Sequence, residues 1–338
     1  MDSLTQIVLG AAVGEALLGK KLGNKALLLG AIAGTIPDLD VLLNIFFKDP
    51  IDQIRIHRSY SHSMFTHIIL AWPLAWFSFR RSKADITRTR WYIFWFLGLF
   101  THALLDCGTA YGTRFFLPFT DYQVAFNNIN VLDPSYTIPW LIILIVAMFY
   151  KRNSTTRNRW VMAGWIYSSI YMLTTFGLKA IVHKKFEKTL TEQHIGYYDL
   201  TSTPTILNAV LWSGIAIDTD TISVAEYSFL NSTEPITWVK FPRNKSLAQF
   251  FPGPKMEPTQ WFADDHYLIT GSKDSINFYT LKWGRTNFNE SQDPEKAFMF
   301  YNRFKRNSKG EIEVKQITPR DGLDIKTAFK RLIKRIGL

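Results

Sequence analysis

Basic residues occupy every second connection between the apolar runs of this chain, and that alternation restricts its fold more than any other feature. The apolar runs cover 4–18, 26–47, 64–79, 91–105, 138–150 and 160–181. Lys20, Lys21 and Lys25 separate the first two. Arg80, Arg81, Lys83, Arg88 and Arg90 separate the third and fourth, and Lys151, Arg152, Arg157 and Arg159 the fifth and sixth. A membrane sorts short loops in this way, because those rich in Lys and Arg stay on the cytoplasmic side. The pattern predicts an α-helical membrane bundle of five to six helices, some short or broken, over residues 1–182. The connections near 48–63 and 106–136, and everything after 181, then lie on the extracytoplasmic side.

Length argues less clearly than charge. A span takes about 20 apolar residues, and only 160–181 plainly meets that. The other runs are short or carry Gln6, Glu15, Asp38, Asp40, His67 and His102. A soluble helical bundle is the competing reading, and the charge alternation decides against it. No basic stretch precedes the first apolar run, so no cleaved signal peptide is expected.

From about residue 186 the composition changes. Short runs rich in β-branched and aromatic residues, at 223–230, 236–241, 267–270, 276–283, 296–304 and 311–317, are separated by turn residues. They predict a mainly β soluble domain over 186–338. It ends in DIKTAFKRLIKRIGL, where Ile325, Ala328, Phe329, Leu332 and Ile336 recur at helical spacing among Lys and Arg. That basic amphipathic helix either lies on an anionic membrane surface or packs on its own domain. The net charge of +11 gathers beside apolar runs, which fits membrane topology rather than nucleic-acid binding, and no nucleic-acid partner is expected. The single Cys107 excludes an intrachain disulfide and a cysteine-based zinc site.

Every chemically suggestive motif falls on the side opposite the basic loops. His102 and Asp106 lie four apart on a predicted helix and so share a face. They form either a hydrogen-bonded pair or two ligands of one ion. Asp38 and Asp40 follow Pro37 inside an apolar run, where an isolated charge is costly to bury; each is a ligand or a helix cap. His57 and His62, five apart, suit a loop entering a helix. Together these residues offer three imidazoles and three carboxylates, enough for one or two divalent ions. Arg58 and Arg114 are fixed cations suited to stabilising negative charge on a substrate anion. Ser61 or Ser63 is placed to cap the following helix. Glu15 is an intramembrane acid and so a functional suspect, while His67 is structural or supports the ligands.

Six stretches, MDSLTQIVLGAAVGEALLG, AGTIPDLD, HRSYSHS, THALLDCGTAYGT, LPFTD and VLDPSYTIPW, resemble in order the YdjM-like membrane-bound metal-dependent hydrolase family. The resemblance covers roughly residues 1–180. The family is similar at a distance to zinc phospholipase C and the zinc single-strand nucleases, and its membership implies an inner-membrane location. Carried over, it makes His57, His62, His102, Asp106 and an aspartate of the pair Asp38 and Asp40 the metal site. Asp133 is a weaker ligand candidate, and Tyr111, Gly112 and Thr113 match a motif of undefined role. Relatives often have Thr-His where this chain has Thr5-Gln6, and an acid where it has Asn127 and Asn128.

These observations favour a metal-dependent hydrolase of a phosphoester-type, membrane-proximal substrate, a lipid included, using zinc or alternatively manganese. Two other readings compete. One is a non-enzymatic membrane protein whose β domain binds a partner and whose His/Asp cluster is structural. The other is a small transporter with Glu15, Asp38, Asp40 and His67 along an ion path.

Overall fold

A computed structural model of the chain describes residues 1–47, 49–285, 291–298, 300–317 and 325–337. They form two compact units, Met1–Phe46 with Ile56–Thr175, and Phe47–Arg55 with Phe176–Leu338.

The first unit is helical. α1 (Ser3–Leu22) starts where the Asp2 carboxylate accepts the Thr5 N–H and stops at Gly23. α2 (Asn24–Thr35) returns against it. At Pro37 a backbone donor is missing, and the chain continues as a 3-10 helix, Ile36–Ile45. α3 (Pro50–Ile56), which belongs to the second unit in all but its last residue, and a 3-10 turn, Tyr60–His62, lead to α4 (Met64–Arg81), then α5 (Arg88–Asp106), α6 (Pro134–Met148) and α7 (Thr155–Glu192), which passes into the second unit at Phe176. The Thr87 hydroxyl caps α5, and Asp133 caps α6 by accepting from Ser135 and Tyr136 N–H groups.

All six apolar runs are therefore helical, but the membrane-spanning count is lower than the five to six expected. Among the described residues, two helical segments are long and apolar enough to cross a membrane, Asn24–Ile45 and Thr155–Glu192; Pro134–Met148 is shorter. The polar residues that dilute the other helices point inward. Gln6, Glu15, His67, His102 and Asp106 are all buried. Glu15 has a structural partner: Arg157 forks onto it, with Nε 2.6 Å from Oε1 and Nη2 2.7 Å from Oε2. One cation of the charge map is thus consumed inside the bundle. The remaining basic connections meet at one end of the unit, where Lys21 pairs with Asp85, Arg152 donates to the Lys21 carbonyl, and Arg90 to that of Leu17.

The second unit carries two antiparallel sheets, each in sequential order. The first is β1 (Asp199–Pro204), β2 (Leu211–Ile217), β3 (Thr221–Ser228) and β4 (Val239–Pro242). The second is β5 (Tyr267–Gly271), β6 (Ser275–Thr280), β7 (Tyr301–Arg306) and β8 (Ile312–Ile317). Three helices accompany them, α8 (Met256–Ala263), α9 (Pro294–Ala297) and α10 (Ile325–Ile336). Ile215, Ile217, Ile222, Val224 and Phe241 pack with Leu268, Tyr279 and Leu281 in one core. Val182, Phe186 and Leu190, from the later turns of α7, fill another with Trp212 and Tyr227. The sequence reading missed β1 and β2. β2 is buried along its whole length, so it lacks the alternation that marks a half-exposed strand. The run 296–304 divides into the end of α9 and the start of β7. For the amphipathic end, packing on its own unit is found: Leu332 and Ile336 meet Leu211, and the Ser228 hydroxyl donates to the Ile336 carbonyl at 2.6 Å.

The tightest helix contact positions the site. Gly10 and Gly14 of α1 face Gly30 and Gly34 of α2, a small-residue spacing that lets two backbones touch. A Cβ on Gly30 would stand 2.1 Å from the Gly10 carbonyl oxygen and 2.9 Å from the Gly14 Cα. Gly30→Val is expected to destabilise the unit by upwards of about 1–3 kcal/mol, the usual cost of overpacking, read as a lowered thermal midpoint. Gly177→Ala, with nothing within 4 Å, should leave the midpoint unchanged or slightly raised.

Candidate metal centre

Four of the six expected ligands converge. One donor atom from each of Asp38, His62, His102 and Asp106 lies within 4.8 Å of all the others. The closest approaches are His62 Nε2 to Asp106 Oδ2 at 3.2 Å and to His102 Nε2 at 3.2 Å. Asp38 Oδ1 is 3.4 Å from both imidazoles, and His102 Nε2 is 3.7 Å from Asp106 Oδ2. Ligands on a tetrahedron with bonds of about 2.0–2.1 Å stand roughly 3.3–3.4 Å apart. Five of the six donor pairs, at 3.2–3.7 Å, are close to that spacing, and the remaining pair, Asp38 with Asp106, lies within 4.8 Å.

Hydrogen bonds behind the cluster aim the donors. His102 Nδ1–H donates to the Gly34 carbonyl at 2.6 Å, so Nε2 presents a lone pair forward. The Ser61 hydroxyl donates to Asp40 Oδ2 at 2.6 Å and accepts from His62 Nδ1 at 2.9 Å, which turns the His62 Nε2 lone pair the same way. Asp106 Oδ1 accepts from Gln6 Nε2 at 3.0 Å, from Arg58 Nη2 at 3.1 Å and from the Met1 amine. Its other oxygen, Oδ2, is buried without a hydrogen-bond partner. Four acceptors therefore face one another inside a protein. That arrangement is repulsive unless a cation sits among them. A proton is one such cation. Burial opposes charging His62, but the Asp106 and Asp38 carboxylates, which accept from the ring once it is protonated, outweigh it and raise its pKa above the ordinary 6.5. A divalent metal is the other, and the donor set of two imidazoles and two carboxylates suits it.

Asp40 and His57 stand behind this cluster instead of completing it. The Asp40 carboxylate accepts from His57 Nδ1 at 2.9 Å, from the Arg58 N–H at 3.0 Å and from Ser61. It ties the turn 57–61 to the 3-10 helix and supports His62 through Ser61. Arg58 has a left-handed backbone, φ 55, and its guanidinium turns inward. Besides Asp106 it donates to Thr109 Oγ1 at 3.0 Å and lies over the Tyr111 ring at 4.7 Å. Arg114, half-buried, joins the same turn through its N–H, 3.4 Å from the Arg58 carbonyl.

Ser63 occupies the N-cap position of α4, but its hydroxyl donates to the Leu117 carbonyl instead of accepting from the first turn, and Ser61 serves Asp40. His67 Nε2 bonds the Ser61 carbonyl at 2.8 Å and so steadies the turn. Asp133 caps α6 and accepts from Tyr171 at 2.7 Å, away from the cluster. Gln6, unpromising as a zinc ligand, has a different part, since it holds both Asp106 and the His102 carbonyl. Only its position opposite a histidine in relatives marked it in the sequence; the contact spans 100 residues. Thr109 falls inside the stretch THALLDCGTAYGT that carries the family resemblance, whereas the Gly34 carbonyl carried no signal.

The YdjM inner membrane protein family model matches residues 1–182, the stretch that holds every residue of this centre. No curated protein and no solved structure matches the chain.

Zinc titrated into the purified protein should bind at one high-affinity site, lost in His102→Ala. Asp40→Asn and Ser61→Ala should weaken binding by about 10–100-fold, the usual cost of removing support behind a ligand. Because His62 must shed a proton to ligate and its pKa is raised, apparent affinity should already weaken as pH falls toward 6.5. Calorimetric titration at several pH values checks both.

Proposed function

This chain belongs to the YdjM inner membrane protein family, and from that premise we propose that it is a multi-pass, membrane-bound, metal-dependent hydrolase of phosphoester-type bonds in a membrane-proximal substrate. The observation that carries the reading is the convergence of Asp38, His62, His102 and Asp106 with the buried Asp106 Oδ2 facing inward. A zinc ion held there, with manganese as the alternative, supplies a Lewis acid and lowers the pKa of water. One four-donor group among the described residues favours one ion over two.

The chain's own residues divide the remaining work. Asp40, Ser61 and Gly34 orient the imidazoles, Gln6 and Arg58 orient Asp106, and Arg114, half-buried in the same turn, adds positive charge at this end. In the reaction, water oxygen bonds to phosphorus and the ester P–O bond breaks. The leaving alcohol takes up the proton that water gives up. The cluster lies at the end of the helical unit away from the basic connections, which supports an extracytoplasmic site and, after α7, an extracytoplasmic β unit.

A second reading has its own observation. Arg58 is buried against Asp106 instead of open to a ligand, as in a cluster that only stabilises the bundle, with the β unit binding a partner. The two separate in one assay. Zinc- or manganese-loaded protein should hydrolyse bis(p-nitrophenyl) phosphate or an anionic phospholipid. His102→Ala should lower kcat/KM by about 100-fold or more, and a chelator should abolish turnover until metal is restored. Metal-loaded protein inert toward both substrates, with ligand variants that merely melt earlier, would establish the structural reading.

A further inference from the structure

Three of the four converging donors are sealed, and one is not. The His62, His102 and Asp106 side chains are 0% exposed, whereas that of Asp38 is 21% exposed. Whatever reaches the centre passes Asp38, so the surroundings of Asp38 define what can enter.

Asp38 sits on the 3-10 helix Ile36–Ile45, where three residues per turn stack i and i+3 in one row. Pro37 and Asp40 are buried, but Leu43, next in their row, is 43% exposed and Val41 46%. The row of Leu39, Leu42 and Ile45 is 48, 56 and 73% exposed. Asp38 and Val41 form the row between them. An open apolar track therefore runs beside the one accessible donor. This helix is the continuation of α2, and Asn24–Ile45 is one of the two described segments long and apolar enough to cross a membrane; on the membrane-bound reading the track lies beside lipid. Aromatic side chains accompany the same end. Tyr60, next to Ser61 and His62, is exposed, as is Phe119, whose ring packs edge-on against Phe65 at 4.7 Å. A tyrosine such as Tyr60 favours the membrane–water boundary. A divalent ion would offset the charges of Asp38 and Asp106, and Arg58 and Arg114 then favour an anionic head.

We propose that the centre receives its substrate laterally from the membrane, as an anionic phospholipid whose phosphate head passes Asp38 while an acyl chain lies along Leu39, Leu42 and Ile45. The inference rests on the hydrolase reading for its chemistry but not for its path.

The test uses the full-length protein in lipid nanodiscs with phosphatidylglycerol carrying a diazirine in its acyl chain. Photolabelling should concentrate on residues 36–47, be displaced by unlabelled phosphatidylglycerol and resist phosphatidylcholine. In Leu42→Asn with unchanged zinc content, that labelling should fall. KM for a long-chain phosphatidylglycerol should rise about tenfold, as expected for losing a leucine-sized apolar contact, while turnover of bis(p-nitrophenyl) phosphate should hold. Labelling spread over the lipid-facing residues of α7 without excess at 36–47, or equal displacement by phosphatidylcholine, would overturn the path. A KM change shared by both substrates would do the same. Concentrated labelling with no turnover of either substrate would keep the path and remove the hydrolase reading, so the two ideas fail separately.

Discussion

The helical unit is organised around a carboxylate that has one satisfied oxygen and one that is not. Asp106 ends α5 in a wholly buried position, where an ionised group needs partners. Gln6 from α1 and Arg58 from the turn before α4 both donate to Oδ1. Oδ2 is left pointing at the lone pairs of His62 and His102. Each neighbouring element is fixed by what it brings to this point. The glycine contact between α1 and α2 allows Gln6 and the Gly34 carbonyl to approach α5 together.

A second buried polar group secures the other half of α1. Glu15 and Arg157 form a two-point ion pair, and Arg157 Nη1 also reaches Asn24 and the Tyr150 carbonyl. The pair binds α1, α2 and α7 at the end where the basic connections gather. Burying such a pair gains little net stability over an apolar contact, but removing one partner leaves an uncompensated charge. Its effect is to fix how these helices meet, and the acid needs no transport role to account for it.

Much of the centre was legible because it uses local spacing. His102 and Asp106 share a helix face, and that face is the one used. The charge alternation separated the motif-bearing end from the basic end. What the sequence could not resolve was geometry set by tertiary contacts. Asp38 and Asp40 look equivalent in PDLD, yet on a 3-10 helix successive residues are about 120° apart, so Asp38 faces the Nε2 atoms of His62 and His102 while Asp40 backs the turn at His57 and the Nδ1 side of His62. His57 and His62 likewise part company because Arg58 between them takes a left-handed conformation. Gln6 was invisible as a support because its partners are remote in sequence. In the fold, the alternation of basic connections marked five to six helices as spans, where two described segments are long and apolar enough, and the uniformly buried β2 lacked the alternation that marks a strand.

The central claim is that these four side chains hold one metal ion, and X-ray absorption at the zinc edge of the loaded protein tests it most directly. The account predicts two imidazole nitrogens and carboxylate oxygens at about 2.0–2.2 Å, with one imidazole lost in His62→Ala. A shell without imidazole scattering, or one unchanged by that substitution, would contradict it.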